Sequence, residues 1–192
     1  MKKSPKVLAF DVFGTVVDWH GSISAEITRL ELPVDPDAFA TAWRQGYKPA
    51  MARVRSGQLP WTKIDDLHHM ILVDVLKTFK VHSLSENQIQ HLNLVWHRLN
   101  PWPEAVEGLH KLKSQFTIVT LSNGNMGLLA DMAKNAGADG AFHIPNEKAF
   151  ELSSQAFSVI AKYPGVLGNS IKVYQYESPA DHTSTTSAFY VD

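Results

Sequence analysis

The 192-residue chain contains no cysteine, and this absence excludes disulfide bonds, thiolate nucleophiles and cysteine-ligated metals. An excess of charge of one sign is also missing. The 18 Lys and Arg residues balance the 19 Asp and Glu residues to a formal net charge of −1. Such a balance gives no electrostatic footprint for nucleic acid or for an anionic membrane surface, so we predict neither as a partner.

Long hydrophobic runs are missing as well. No apolar segment approaches the length that spans a membrane, and no signal-peptide core precedes the first predicted strand, so we expect a cytoplasmic protein. Hydrophobic residues make up 44% of the chain and charged residues 19%, as in folded globular proteins. The length allows one sizeable core, or one core with a small subdomain.

Two buried strands are predicted, and each ends in residues with reactive or polar side chains. The first covers residues 6–10 and leads into Asp11. The second covers residues 117–121, is rich in β-branched residues and is followed by Ser122 and Asn123. A carboxylate at the carboxyl end of a parallel strand can act as a nucleophile, but an Asp at a turn is often only a cap. Both interpretations of Asp11 stay open on this segment alone.

Helical signals dominate the stretch between the two strands, over residues 22–99. Asp35 before a proline marks one helix start, and Thr62 is the predicted N-cap of another. Ser85 and Gln88 have the spacing of a capping box. Apolar residues follow each start at helical spacing, so an insertion of amphipathic helices is predicted here.

This order of elements predicts an α/β fold. Its core, residues 1–18 and 100–192, is a doubly wound, Rossmann-like parallel sheet, and residues 19–99 form an inserted helical cap subdomain. Residues 171–176 alternate like a strand, whereas the polar segment from Ser178 onward is typical of an unstructured tail. A doubly wound sheet needs more strands than this, so the core is predicted to be incomplete at its C-terminal end.

Three motifs together resemble those of the type II (S)-2-haloacid dehalogenases, within the haloacid dehalogenase superfamily. They run from Asp11 to Thr15, from Trp43 to Gln45 and from Leu121 to Gly124. One such motif is weak, but three in this order around a helical insertion are fairly specific. The resemblance covers about residues 6–137. It implies hydrolytic dehalogenation of small 2-haloalkanoic acids to 2-hydroxy acids, through an aspartyl ester and with inversion.

The resemblance also implies roles for five residues. It implies no cofactor. Asp11 would be the nucleophile, and Thr15 and Ser122 would help to hold the substrate and the site. Asn123 would lie beside the leaving halide or the substrate carboxylate. Arg44 would bind the halide or the carboxylate, although a solvated charge on the outer face of its helix is the plainer interpretation. The partner is thus a small halogenated carboxylic acid, and a homodimer stays open.

Phe13 separates this chain from the phosphatases of the same superfamily. Those enzymes place a second Asp two residues after the nucleophile, where it protonates the leaving group and helps to seat Mg²⁺. A phenyl ring supplies neither a proton nor a metal ligand, whereas halide leaves without a proton. The reaction is therefore expected to need no metal, and a phosphatase is only the third candidate.

Past Gly137 the chain departs from the family pattern. For the lysine that steadies the nucleophile in the family, Lys162 is the nearest counterpart here, with Lys148 and Lys172 as rivals. Asp181 is a poor counterpart of the residues that orient the hydrolytic water. A second hypothesis is therefore an inactive, truncated or frameshifted relative that at most binds small carboxylates.

Overall fold

The structure is a computed structural model that describes residues 7–120, 122, 124–136, 171–176 and 186–191. The chain divides into two compact units. Unit 1 comprises Met1–Asp18, Pro101–Asn123 and Ala133–Asp192, and unit 2 comprises Trp19–Asn100 and Gly124–Met132. Five segments alternate between the units, so the chain passes from one to the other four times. Nothing in the sequence pattern distinguishes Gly124–Met132 from the residues on either side of it. The role of residues 19–99 as a cap subdomain stays a prediction.

The described residues form six strands, seven α-helices and one short 3₁₀ helix. The strands are β1 (Val7–Phe10), β2 (Val17–Asp18), β3 (Asn100–Pro101), β4 (Thr117–Thr120), β5 (Ile171–Tyr176) and β6 (Thr186–Val191). The α-helices are α1 (Trp19–Arg29), α2 (Pro36–Gln45), α3 (Tyr47–Arg55), α4 (Ile64–Thr78), α5 (Glu86–Asn93), α6 (Ala105–Lys113) and α7 (Met126–Asn135), and the 3₁₀ helix is Leu94–His97. Within the described ranges, no helix is both long and apolar enough to cross a membrane.

Unit 1 is an α/β unit built on a four-stranded sheet in the order β4-β1-β6-β5. β1 pairs in parallel with β4, and Phe10 lies opposite Thr120 at the carboxyl ends of the two strands. Both of these strands were predicted from their short apolar runs, and both are confirmed over the residues that the structure describes. Their parallel pairing sets the two polar strand ends at the same level of the sheet.

The C-terminal strands correct part of the prediction. The strand at residues 171–176 is confirmed as β5, but the segment after Ser178 is not wholly a tail, because Thr186–Val191 forms β6. β6 runs antiparallel to both β1 and β5, whereas a second parallel neighbour was expected for β1. The Ala-Phe-Tyr-Val sequence at residues 188–191 favours a strand, and the Ser- and Thr-rich stretch before it obscured that signal. β1 therefore has a strand partner on both edges.

Helix caps in unit 2 follow two of the three predicted start signals. Asp35 is the N-cap of α2, and its carboxylate accepts hydrogen bonds from the N–H groups of Asp37 and Ala38. The capping box of Ser85 and Gln88 is complete at the start of α5. Each cap satisfies backbone N–H groups that have no partner inside the helix, which contributes about 1 kcal/mol per cap.

The third start signal, at Thr62, was interpreted wrongly. α4 begins at Ile64 after Lys63, and no side chain caps it. The Thr62 hydroxyl donates to the carbonyl oxygen of Pro60 instead, at 2.8 Å. A Ser or Thr hydroxyl can bond its own neighbouring backbone in a turn as readily as it caps a helix, and here the turn after the proline takes it.

The core of unit 2 is aromatic and aliphatic. The rings of Phe39 and Trp43 meet edge to face with centroids 6.3 Å apart, and those of Trp43 and Trp96 do so at 5.6 Å. The side chains buried to 1% exposure or less in this unit include Ile23, Ile27, Phe39, Trp43, Leu67, Leu72, Leu92, Trp96 and Leu99. Burial stabilises the fold by about 1.5–3 kcal/mol for each such side chain. This core supports α2, which carries Arg44.

Candidate functional site

The turn after β1 joins two of the predicted site residues. Asp11 follows the last residue of β1, and the Thr15 hydroxyl donates to Asp11 Oδ2 at 3.1 Å. Both side chains are half-buried. The hydroxyl restricts the orientation of the carboxylate, which is what a nucleophile needs before it meets a substrate.

Backbone hydrogen bonds close this turn. The Gly14 N–H donates to the Val17 carbonyl at 3.0 Å. The Val12 carbonyl accepts from the N–H groups of Thr15, Val16 and Val17 at 3.0–3.3 Å. Gly14 has a φ of 94°, a conformation that residues with a side chain rarely adopt. The conformation of the turn therefore depends on Gly14. The turn brings the side chain of Thr15, four residues further along the chain, back to Asp11.

Trp102 ties the same turn to a distant part of unit 1. Its backbone N–H donates to the Val16 carbonyl at 3.0 Å, and its indole Nε1 donates to the Gly14 carbonyl at 3.2 Å. Trp102 is half-buried. The sequence offered no signal for this contact, because it joins positions 88 residues apart. Trp102 thus supports the Asp11 turn without being one of the predicted site residues.

Ser122 follows β4, the strand that pairs with β1. It comes two residues after Thr120, which is paired with Phe10, so Asp11 and Ser122 both follow strand ends at the same level of the sheet. Adjacent strands lie about 4.8 Å apart. Ser122 is half-buried. The other residue predicted at this position, Asn123, lies outside the described residues.

Arg44 belongs to unit 2, in the last turn of α2. Its guanidinium carbon lies 5.1 Å from the centre of the Tyr47 ring and 5.7 Å from the centre of the Trp19 ring. The side chain is half-buried. Cations stack favourably on aromatic faces, and the planar guanidinium does so best. Arg44 therefore packs against aromatic rings rather than extending as a solvated charge.

His68 lies buried in the same unit as Arg44. Its imidazole stacks on Trp96 with centroids 4.2 Å apart, and its carbonyl accepts a hydrogen bond from Trp43 Nε1 at 2.9 Å. Burial lowers the pKa of His68 to about 3, and the charges of Arg44 and His97 act in the same direction. Among the residues that the structure describes, none offers a hydrogen-bond partner to His68 Nδ1. His68 is thus neutral near pH 7 and adds no charge beside Arg44.

The described part of the chain contains no cluster of three or more His, Asp or Glu side chains arranged to hold a metal ion. Phe13 occupies the position two residues after Asp11 and is half-buried. A ring at this position is not a ligand for a hard cation such as Mg²⁺, which prefers oxygen. The expected independence from metal stays a prediction.

The remaining candidates lie in the C-terminal third. Lys172 is in β5, which is separated from β1 by β6. Lys148, Lys162 and Asp181 lie outside the described residues. Of the predicted site residues that the structure describes, Asp11, Thr15 and Ser122 therefore lie in unit 1 and Arg44 lies in unit 2.

A family model shows where this chain belongs among known proteins. The model of the haloacid dehalogenase-like hydrolases matches residues 5–162. The match covers both strands and the helical insertion, and it reaches beyond residue 137, where the resemblance was expected to end. The resemblance therefore extends further toward the C-terminus than the motifs indicated.

Individual relatives are similar over most of the chain. Haloacetate dehalogenase H-2 of Moraxella sp. (strain B) is 26% identical over 170 residues, which are 82% of this chain and 74% of that protein. A crystal structure of a defluorinating L-2-haloacid dehalogenase is 34% identical with a TM-score of 0.67, covering 81% of this chain and 70% of that one. Another L-2-haloacid dehalogenase structure is 36% identical with a TM-score of 0.66, covering 81% and 72%.

Proposed function

The chain belongs to the haloacid dehalogenase-like hydrolases, and we propose that it hydrolyses the carbon–halogen bond of small 2-haloalkanoic acids. The observation that carries the proposal is the Asp11 carboxylate, held by Thr15 at the carboxyl end of β1. Such strand ends are where open α/β sheets bind their ligands. The similarity to 2-haloacid dehalogenases supports the choice of substrate.

The proposed reaction has two steps. An oxygen of Asp11 attacks the carbon that bears the halogen, on the side opposite the halogen. The halide leaves with the electrons of the broken carbon–halogen bond. The product is an aspartyl ester with inverted configuration. Water then attacks the carbonyl carbon of that ester, the acyl–oxygen bond breaks, and the 2-hydroxy acid leaves. One proton is released, and the Asp11 carboxylate is restored.

The other site residues bind and orient in this proposal. Thr15 holds one carboxylate oxygen so that the other faces the substrate. The Ser122 hydroxyl donates to the substrate carboxylate, with Asn123 beside it. Arg44, in the helical insertion of residues 19–99, binds the halide or the carboxylate by its fixed positive charge. Its stacking on Trp19 and Tyr47 restricts the guanidinium before the ligand arrives.

Phe13 supports displacement of a halide over hydrolysis of a phosphate ester. Halide needs neither a proton donor nor a metal ion to leave, and an apolar ring beside Asp11 limits hydration of the nucleophile. Activity should therefore survive a chelator. Phosphate release from a generic phosphomonoester that depends on Mg²⁺ would favour the phosphatase alternative instead.

The substrate proposal is tested with the two enantiomers of 2-chloropropionate. We expect chloride release from the S enantiomer and formation of R-lactate, because backside attack inverts the carbon. Equal turnover of both enantiomers, or lactate with retained configuration, would contradict the mechanism. A single burst of one chloride per chain would favour the alternative of a relative that forms the ester and stalls.

The nucleophile is tested by one turnover in ¹⁸O-labelled water with the enzyme in excess. The lactate should carry unlabelled oxygen from Asp11, and the label should appear in the peptide that contains Asp11. Direct attack of water on the substrate carbon would instead label the lactate and leave that peptide unlabelled.

A further inference from the structure

Gly46 joins α2 to α3, between Arg44 and Tyr47, without interrupting the helical path. Its N–H donates to the Ala42 carbonyl at 3.2 Å, and its carbonyl accepts from the Ala50 N–H at 3.1 Å. Its φ of −63° and ψ of −20° are those of an ordinary helical residue, so the backbone conformation does not require a glycine. The space around Gly46, rather than its conformation, therefore accounts for a glycine here.

Helix α4 leaves no room for a side chain at position 46. A Cβ on Gly46 would lie 3.3 Å from Ile71 Cγ1 and closer still to Ile71 Cγ2, inside the separation of about 3.5–4.0 Å that carbon atoms prefer. Ile71 is buried, and its branched Cβ restricts it largely to one rotamer in a helix, so it cannot simply turn aside. The missing side chain therefore lets the junction between α2 and α3 pack directly on α4.

Two further contacts join this junction to the same part of α4. The centre of the Tyr47 ring lies 6.4 Å from that of the His68 ring, and Trp43 Nε1 donates to the His68 carbonyl at 2.9 Å. His68 precedes Ile71 by three residues, so the two side chains are neighbours on the surface of α4. The close approach at Gly46 therefore sets how closely the Tyr47 ring packs against α4.

Tyr47 links this packing to Arg44. The Arg44 guanidinium carbon lies 5.1 Å from the centre of the Tyr47 ring, within the range of about 6 Å in which a cation is attracted to an aromatic face. Tyr47 thus contacts both His68 on α4 and the guanidinium on α2. If the junction moved away from α4, the ring would lose its contact with His68 and would no longer be held beside Arg44.

We propose that Gly46 and Tyr47 are positioning residues for Arg44. The missing side chain at position 46 lets Tyr47 pack against α4, and the packed ring orients the guanidinium for anion binding. The inference rests on the proposed function, in which Arg44 binds the halide or the substrate carboxylate, and it makes the size of residue 46 a determinant of that binding. With a larger residue at position 46, Arg44 keeps its charge but loses its fixed orientation.

The first test compares Gly46→Ala with Gly108→Ala, a glycine of α6 where an added Cβ meets no atom within 4 Å. A displacement of about 1 Å can cost up to about 100-fold in rate. We expect kcat/KM for 2-chloropropionate to fall about 10-fold or more in Gly46→Ala and to stay within about twofold of the wild type in Gly108→Ala. A folded Gly46→Ala protein with the kcat/KM of the wild type would overturn the proposal.

A second substitution at Ile71 separates positioning from a general loss of stability. Ile71→Ala removes the Cγ atoms that meet the added Cβ, so Gly46→Ala combined with Ile71→Ala should recover kcat/KM to within about threefold of Ile71→Ala alone. Ile71→Val keeps two Cγ atoms on Cβ and should not restore the activity of Gly46→Ala. Equal recovery with both substitutions, or no recovery with Ile71→Ala, would overturn the proposal.

Substitution of Tyr47 leaves the glycine in place and tests the ring itself. Tyr47→Phe keeps the aromatic face and should retain kcat/KM within about threefold, whereas Tyr47→Leu loses that face and should fall about 10-fold. Wild-type kinetics in Tyr47→Leu would overturn the role of the ring, whether or not Gly46→Ala folds.

An NMR measurement needs no activity. The Arg44 Nε–H resonance, assigned by its loss in Arg44→Lys, should be displaced by the neighbouring rings from the position of a solvated arginine. It should move back toward that position in Gly46→Ala and stay in place in Gly108→Ala. An unchanged resonance in a folded Gly46→Ala protein would overturn the inference even if catalysis were altered. Absence of halide release by the wild type would count against the proposed function alone, because the resonance reports the packing of Arg44 directly.

Discussion

The turn that carries Asp11 in unit 1 is held by its backbone, whereas the surroundings of Arg44 in unit 2 are made of side chains. Around Asp11 the closing bonds join N–H and carbonyl groups within six residues, and one indole adds a distant contact. Around Arg44 the contacts include the rings of Trp19 and Tyr47, and the Tyr47 ring lies 6.4 Å from that of the buried His68. Substitutions should therefore have local effects in the first region and wider effects in the second.

Replacing Asp11 by Asn should give the largest effect on activity. The amide is a poor nucleophile, so halide release should fall at least about 10³-fold, as expected when a covalent nucleophile is removed. The melting temperature should hardly change, because the backbone closes the turn. Asp74→Asn, which alters an exposed carboxylate on α4, is the control. Retained activity in Asp11→Asn would contradict the nucleophile assignment.

Arg44→Ala should come next, with about 10²-fold loss of kcat/KM, comparable to the loss of one charge-stabilising donor. Arg44→Lys keeps the charge but loses the planar stacking, so it should recover only part of the activity. Steady-state kinetics and thermal melts measure the two effects separately. A large drop in melting temperature with unchanged kinetics would show that Arg44 serves the packing of unit 2 and not the reaction.

His68 should make unit 2 sensitive to acid. Its pKa is lowered to about 3 in the fold from an ordinary value of 6.5, so the unfolded chain binds the proton first as the pH falls. Stability is fully present above about pH 6.5 and declines between there and about pH 3, with a loss of about 2 kcal/mol at pH 5. Urea unfolding at pH 7 and pH 5 should show a smaller difference in His68→Leu than in the wild type. An equal difference in both would contradict the buried neutral state.

Trp102→Phe should give the smallest effect and tests the indole contact of the Asp11 turn. It removes the indole donor to the Gly14 carbonyl, a bond worth about 0.5–1.5 kcal/mol. Activity should fall a few-fold, because the turn that orients Asp11 loosens. Trp61→Phe is the matched control, since Trp61 is 80% exposed. Equal effects of the two substitutions would show that the bond to Gly14 does not matter.

Much of the fold follows from local sequence signals. The apolar runs before Asp11 and Ser122 predicted β1 and β4, and the capping box at Ser85 marked the start of α5. Local signals failed where two local structures competed. Thr62 closes a turn instead of capping α4, and β6 follows a polar stretch that suggested a tail.

The sequence by itself determined the α/β order of elements, the two polar strand ends and the glycine at the turn. These features depend on side-chain period, strand propensity and backbone conformation, which neighbouring residues set. Only the tertiary structure decided that Trp102 supports the Asp11 turn, that Arg44 stacks on two rings and that His97 links α4 to α7. The contacts of Trp102, of His97 and of Arg44 with Trp19 join positions far apart along the chain, and packing alone brings them together.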